Sequence, residues 1–405
     1  MAIDTVPVKG VRVTPHLYTT TGDLDALVRA IGDLARASPA RTPDIAGGSC
    51  DTDRGESPMR PHRPAAWLLL ALASTALPAH QAGDEQPVDQ FLLTRFAFTP
   101  AQVAAARRGV AVAVVLGSTV DREVAIGGAV RVQVSPDRLF ALLQDVERLE
   151  SGPGFLRTRR LSEPPRLEDF ADLVLPPGDV ADLRRCRPGA CDVKLGQGAF
   201  DLLRQIDWKA PDAASRVNAL ARRTSLEYVE AYRKGGNSEL AIYLDSDRPQ
   251  FIAAEFAEMV GRARLWPDTL RPLADVLLGY PKAPRPAGMR DFFYWSLAEF
   301  GLKPVVRLNQ AVCYSTGRPA GTMHAVAIKQ LYASHYFHTA LEIRTVVNDA
   351  STPASGTYLV VLNIARSDGL TGLFGGVVKS KVRTASRSAL ERALTAIKRM
   401  AESPM

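Results

Sequence analysis

The residues best suited to chemistry lie close together in the last third of the chain. They are His324, His335, Tyr336 and His338. Imidazole titrates near neutral pH, so each histidine is a candidate general acid or base, and Tyr336 is a candidate acid beside them. His335 and His338 also form a His-x-x-His pair. Such a pair holds a metal only with a third ligand, for which Glu342 and His324 are candidates by expected proximity in the sheet. No stronger ligand spacing accompanies them, so no metal is expected. A second pair, Cys186 and Cys191, flanks Pro188-Gly189. A tight turn there brings two sulfurs within bonding reach, and a disulfide is expected if the compartment is oxidising.

Two further stretches carry potential chemistry. The run from Asp291 to Leu297 holds Phe292, Phe293, Tyr294 and Trp295 in succession. Aromatic rings dominate cores, so three of them are expected inside and one outside. Gly372-Leu373-Phe374-Gly375-Gly376 precedes a helical pattern but lacks the Lys-Ser/Thr of a phosphate-binding loop. It is expected to be a turn or a gate.

The elements that must position these residues are read from periodicity. Residues 307–314, 322–332, 338–347 and 357–365 alternate as strands. In the third, Thr339, Leu341, Ile343, Thr345 and Val347 share one face, and His338, Glu342 and Arg344 share the other. The fourth is apolar on both faces and is expected to lie centrally. A helix over residues 376–400 follows, with a buried stripe of Val378, Val382, Ala385, Ala389, Ala393, Ile397 and Met400. The expected fold is α+β: an antiparallel sheet wrapped around a long C-terminal helix, a helix grip. An alanine-rich helix on a sheet packs closely or leaves room beside it. The expected lining of such a cavity is Tyr332, Tyr358, Leu362, Val382, Ala385 and Ala389.

Composition limits the function classes. The chain has 405 residues, a net charge of +7, 46% apolar and 23% charged residues, ordinary for a globular protein. Its basic excess gathers on the outer face of the last helix without interleaved aromatics. That pattern argues against nucleic acid and for a solvated face, with transient membrane-surface contact as an open partner. Oligomeric state is not legible.

The N-terminal region has a different organisation. Residues 38–58 read as a linker rich in Pro, Gly and Ser. Residues 59–82 combine a basic start, Met59-Arg60-Pro61-His62-Arg63-Pro64, with an apolar run from Ala65 to Ala73 and a small-residue exit. This is the pattern of a secretory signal, so a natural start at Met59 and a periplasmic or secreted protein are expected.

Two resemblances stand on particular residues. Arg12, Val13, Thr14, Pro15, His16, Tyr18 and Thr19 resemble the C-terminal end of class V, PLP-dependent aminotransferases, a likeness that covers residues 1–37. No Ser-x-His-Lys run supplies the Schiff-base lysine, so the resemblance implies relationship without activity, and no cofactor is expected. The run from Val132 to Asp145, Val-Gln-Val-Ser-Pro-Asp-Arg-Leu-Phe-Ala-Leu-Leu-Gln-Asp, resembles the opening of START-like (SRPBCC) proteins. In that family a strand feeds a short helix, an antiparallel sheet follows, and a long C-terminal helix closes over a hydrophobic cavity. The resemblance implies one such domain over residues 83–405, interrupted by a largely helical insertion at about 151–304. It implies binding of a hydrophobic or amphipathic, lipid-like small molecule. The alternatives are a cyclase- or hydratase-like enzyme on the same fold, and an inactive relative of the aminotransferases.

Overall fold

The computed structural model describes residues 88–262, 268–299, 303–316, 323–349, 356–367, 370 and 375–404. The expectations for residues 1–37, 38–58 and 59–82, and most of the glycine-rich run at 372–376, lie outside the described residues.

Helices α1 (Val88–Arg95) and α2 (Pro100–Arg107) come first. Thr99 caps α2: its hydroxyl accepts from Gln102 N–H while the Gln102 side chain accepts from Thr99 N–H. Strands β1 (Val112–Leu116) and β2 (Glu123–Val132) follow, then α3 (Pro136–Leu143) and α4 (Val146–Leu149). The Ser135 hydroxyl accepts from Arg138 N–H at the start of α3, and Pro136 occupies the first helical position. Strand β3 (Phe155–Arg160) leads into a helical stretch. That stretch holds α5 (Pro177–Leu183), α6 (Gln197–Leu203), α7 (Ala213–Gly235), the small ladder β4 (Ile242–Tyr243) with β5 (Gln250–Phe251), α8 (Ile252–Arg262) and α9 (Arg271–Gly279). The chain then runs β6 (Arg290–Ala298), β7 (Val305–Thr316), β8 (Met323–Ala333), β9 (Phe337–Asp349), β10 (Gly356–Ser367) and α10 (Gly375–Glu402).

The fold is α+β, as the periodicity predicts. Eight strands form one antiparallel sheet in the order β1-β2-β10-β9-β8-β7-β6-β3, and α10 packs against it at β1 and β2. The four strands from β7 to β10 are consecutive neighbours, a meander. Strands β3 and β6, both within residues 151–304, complete one end of the sheet. The architecture is compatible with a helix grip.

The sheet is covered on both faces. On one, Val124, Ile126, Val130, Phe292, Tyr294, Ala311, Val326, Val346, Leu359 and Val361 meet α3 and the buried face of α10. On the other, Ala125, Ala129, Val312, Leu341, Ile343, Tyr358, Val360 and Leu362 meet α1, α2, α8 and α9. Farther along this second face, Phe293, Trp295, Leu308 and Leu331 pack with Tyr232 of α7 and Tyr243 of β4. A strand buried on both faces reads as a continuous apolar run, which is why β10 lies inside the sheet.

Gly127 and Gly128 let the two layers approach β2. A Cβ on Gly127 would meet the Phe96 ring at 2.6 Å, and one on Gly128 would meet Leu390 Cδ2 at 2.8 Å and Leu394 Cδ1 at 2.9 Å. Successive residues of a strand point to opposite faces, so one glycine admits each layer. Helix α10 runs parallel to β2. The Glu402 carboxylate accepts from Gln133 N–H (2.8 Å), Lys398 Nζ donates to Arg131 O (3.3 Å), and Lys379 Nζ lies 3.5 Å from Asp121.

Three details differ from the sequence reading. All four successive aromatics are buried, because they lie on a strand: Phe292 and Tyr294 face α10, and Phe293 and Trp295 face the inserted helices. The buried face of α10 also includes Ser386, Leu390 and Leu394, while Ala385 is only half-buried. His338 parts from Glu342 and Arg344, because the β9–β10 register shifts: Thr339 pairs with Arg366 but Phe337 pairs with Ser367. The extra residue turns the His338 ring towards Glu255 of α8.

Candidate functional site

The face of the sheet that carries α10 is not uniformly apolar. Arg307 on β7 is buried at 3% exposure, and its Nη2 donates to Glu150 Oε2 at 3.0 Å. Arg307 also donates to Ser296 Oγ from Nε (3.1 Å) and Nη2 (2.7 Å). Glu150, just past α4, accepts in addition from Tyr294 Oη at 3.1 Å and Thr158 Oγ1 at 3.3 Å. Burial first, and the Glu150 charge second, raise the Tyr294 phenol well above its ordinary pKa. Arg344 and Glu342 alternate along β9 with Val346, which meets α10, and so lie on the same side of the sheet. They pair with each other through Arg344 Nε and Glu342 Oε1 and are both buried.

Amide side chains extend this polar band. Asn309 lies opposite Tyr294 and Gln330 in the ladder, and Asn363 lies opposite Glu342 and Ile126. Asn309 Nδ2, Gln330 Nε2 and both polar atoms of Asn363 are buried without a hydrogen-bond partner among the described residues. Ser386 Oγ and Arg383 Nε, on α10, share that condition. An unmade hydrogen bond on a buried group costs about 1–3 kcal/mol. Several on one face are therefore a specific feature, and a polar molecule taken in beside α10 would satisfy them.

Of the residues expected to line a cavity, Val382, Ala385 and Ala389 belong to α10; Val382 and Ala389 are buried and Ala385 half-buried. The strand residues go elsewhere. Tyr358 and Leu362 point to the opposite face, among α1, α2, α8 and α9. Tyr332 packs edge-on against Tyr228 and Tyr243, and its hydroxyl donates to Lys194 O at 3.0 Å. The structure thus brings the helix residues to the polar band and leaves the strand residues behind it. Asn309, Gln330, Asn363 and Glu150 were missed. Asn363 interrupts the apolar run from Leu359 to Ala365, and that was the available signal.

The histidines occupy three separate environments. The His335 ring lies with Nε2 at 3.0 Å from the buried Asp179 carboxylate of α5 and Nδ1 at 2.8 Å from Asp192 O. His338 Nδ1 lies 3.4 Å from Glu255 Oε2. His324 stacks on Phe140 of α3, with Nδ1 at 2.8 Å from Ser315 Oγ and Nε2 at 3.2 Å from Asp137. Tyr336 has a left-handed backbone (φ 61°), and its hydroxyl accepts from Lys303 N–H at 2.8 Å. Among the described residues, no group of three His, Cys, Asp or Glu side chains is arranged to hold a metal ion.

Burial lowers the His324 pKa, and Asp137 only partly opposes it. The folded state therefore resists protonation. Its stability is unaffected by this group above the ordinary histidine value of 6.5 and is lost as pH falls below it, towards the folded value. Replacing His324 by Phe keeps the stack on Phe140 and removes the proton site. Denaturant unfolding is expected to show a smaller loss of stability between pH 7 and 5 in H324F than in the wild type. Equal losses would remove His324 as a source of acid sensitivity.

Cys186 and Cys191 are joined by a disulfide across the Pro188-Gly189 turn, with Cα atoms 4.6 Å apart. The bridge lines an open cleft of about 430 Å³ together with Asp182, Asp192, Asp245 and Asp247. On the inserted side, Lys329 is fully buried. Its Nζ donates to Tyr232 Oη (3.0 Å) and to Asn237, and lies 4.0 Å from the Phe256 ring centroid. Burial pushes its pKa well below the ordinary lysine value. This amine anchors α7 to the sheet.

No family model matches the sequence, and no curated protein matches it. Among the described residues, no helix is long and apolar enough to cross a membrane.

Proposed function

We propose that the chain is an exported START-like, helix-grip protein that binds a hydrophobic or amphipathic small molecule between α10 and the sheet. One observation carries the reading: polar side chains buried without partners among the described residues lie on the α10-bearing face, beside the apolar residues that pack against α3 and α10. Such a combination suits a ligand with a large apolar body and a small polar end. Gly128 supports it by fixing the distance between helix and sheet at one end. The disulfide supports export, since such bonds persist in oxidising compartments. Exposed Arg387 and Arg399 on α10 suit contact with an anionic membrane surface during loading. His324, His335 and His338 have separate carboxylate neighbours, which favours binding over acid–base catalysis by a histidine cluster.

Nile red, a neutral dye that fluoresces in apolar surroundings, tests the reading without any charged group. Titration is expected to show saturable binding of one dye per chain. Fluorescence that rises without saturating, or not at all, would contradict an internal site.

A further inference from the structure

We infer that the polar end of the ligand is an anion, a carboxylate or an equivalent oxyanion, anchored by Arg383, Ser386 and Asn363. This rests on the binding reading above and specifies its ligand class.

The placement follows from the register of α10 on β2. Leu390 and Leu394 sit over Gly128. Four residues back along a helix is about 6 Å, and two residues back along a strand is about 7 Å. The two elements run parallel, so Ser386 comes level with Ile126. The partner of Ile126 on β10 is Asn363. Arg383 lies one turn farther on, on the same stripe of α10 as Ser386, Leu390 and Leu394. Its Nε is buried.

The charges define the sign. Arg307 is paired with Glu150, and Arg344 with Glu342. Arg383, half-buried on α10, makes no ion pair among the described residues, so it adds one positive charge at the edge of the band. Ser386 and Asn363 are each 1% exposed and offer unpartnered hydrogen-bonding atoms at the same level. A guanidinium, a hydroxyl and an amide together match the several acceptor lone pairs of a carboxylate, and the charge-assisted bond to arginine is the strongest of them.

The test is competition against bound Nile red by hexadecanoate and by hexadecan-1-ol, which share a chain and differ in the head. The acid is expected to displace the dye at a concentration lower than the alcohol by roughly tenfold or more, the worth of a charge-assisted hydrogen bond. R383Q should bring the two within a few fold of each other, and S386A should narrow the gap less. Equal displacement by acid and alcohol, no displacement by either, or a preference that survives R383Q would overturn the anionic head while the bound dye keeps the internal site. Absence of saturable Nile red binding removes the site itself, and the inference with it.

Discussion

Glu150→Ala is expected to destabilise the fold by about 3–5 kcal/mol, the cost of leaving a buried charge without its partner. The reason is the company Glu150 keeps. It lies at 5% exposure and receives Arg307 Nη2 at 3.0 Å and Tyr294 Oη at 3.1 Å. Alanine leaves the Arg307 guanidinium buried beside Ser296 Oγ and the Phe155 ring without the Glu150 carboxylate. Denaturant unfolding at neutral pH reads the effect directly as a lower midpoint at unchanged slope. The double variant Glu150→Leu with Arg307→Met separates the two contributions, because replacing both charges by apolar groups is often near neutral. It should recover most of the loss. A single-variant loss below about 1 kcal/mol, the range of an exposed ion pair, would mean that the pair is hydrated and the polar band is not enclosed.

The second large effect is expected at Gly128. A valine there drives its Cβ to within 2.8 Å of Leu390 and 2.9 Å of Leu394, closer than carbon atoms pack. Overpacking of this kind costs about 1–3 kcal/mol, and here the strain falls on the contact that holds α10 to β2. The neighbouring atoms are side-chain ends, so shortening one of them gives relief. Leu390→Ala in the Gly128→Val background should cost less than the sum of the two single changes, a coupling read from a double-mutant cycle. Strict additivity would show that helix and strand do not touch at this point.

Much of the fold was legible because its strands alternate and its last helix keeps a steady apolar stripe. The strands read at 307–314, 322–332, 338–347 and 357–365 became β7 to β10 with ends moved by only a few residues, and the helix read at 376–400 became Gly375–Glu402. Which face each residue took was harder to read. Tyr358 and Leu362 follow correct alternation, yet both faces of the sheet are covered, so apolar character could not say which face meets α10. His338 leaves the face of Glu342 and Arg344 because it is itself the extra residue of a bulge, while Thr339 to Val347 keep their alternation. Glu150 was invisible as a site residue because its partner lies 157 positions away in sequence. Ser386 is buried, although a lone hydroxyl between arginine and alanine residues of α10 carries no sequence signal of burial. The aromatic run at Phe292–Trp295 carries an expectation of one exposed ring, and strand geometry buries all four by sending two to each face.

The central claim is that the interior between α10 and the sheet holds a small molecule. Native mass spectrometry of the protein purified from its own cells tests it most directly. The expected result is a species heavier than the polypeptide by the mass of one small organic molecule, which organic extraction releases as an anion. A spectrum of the polypeptide mass alone, unchanged by extraction, would contradict it.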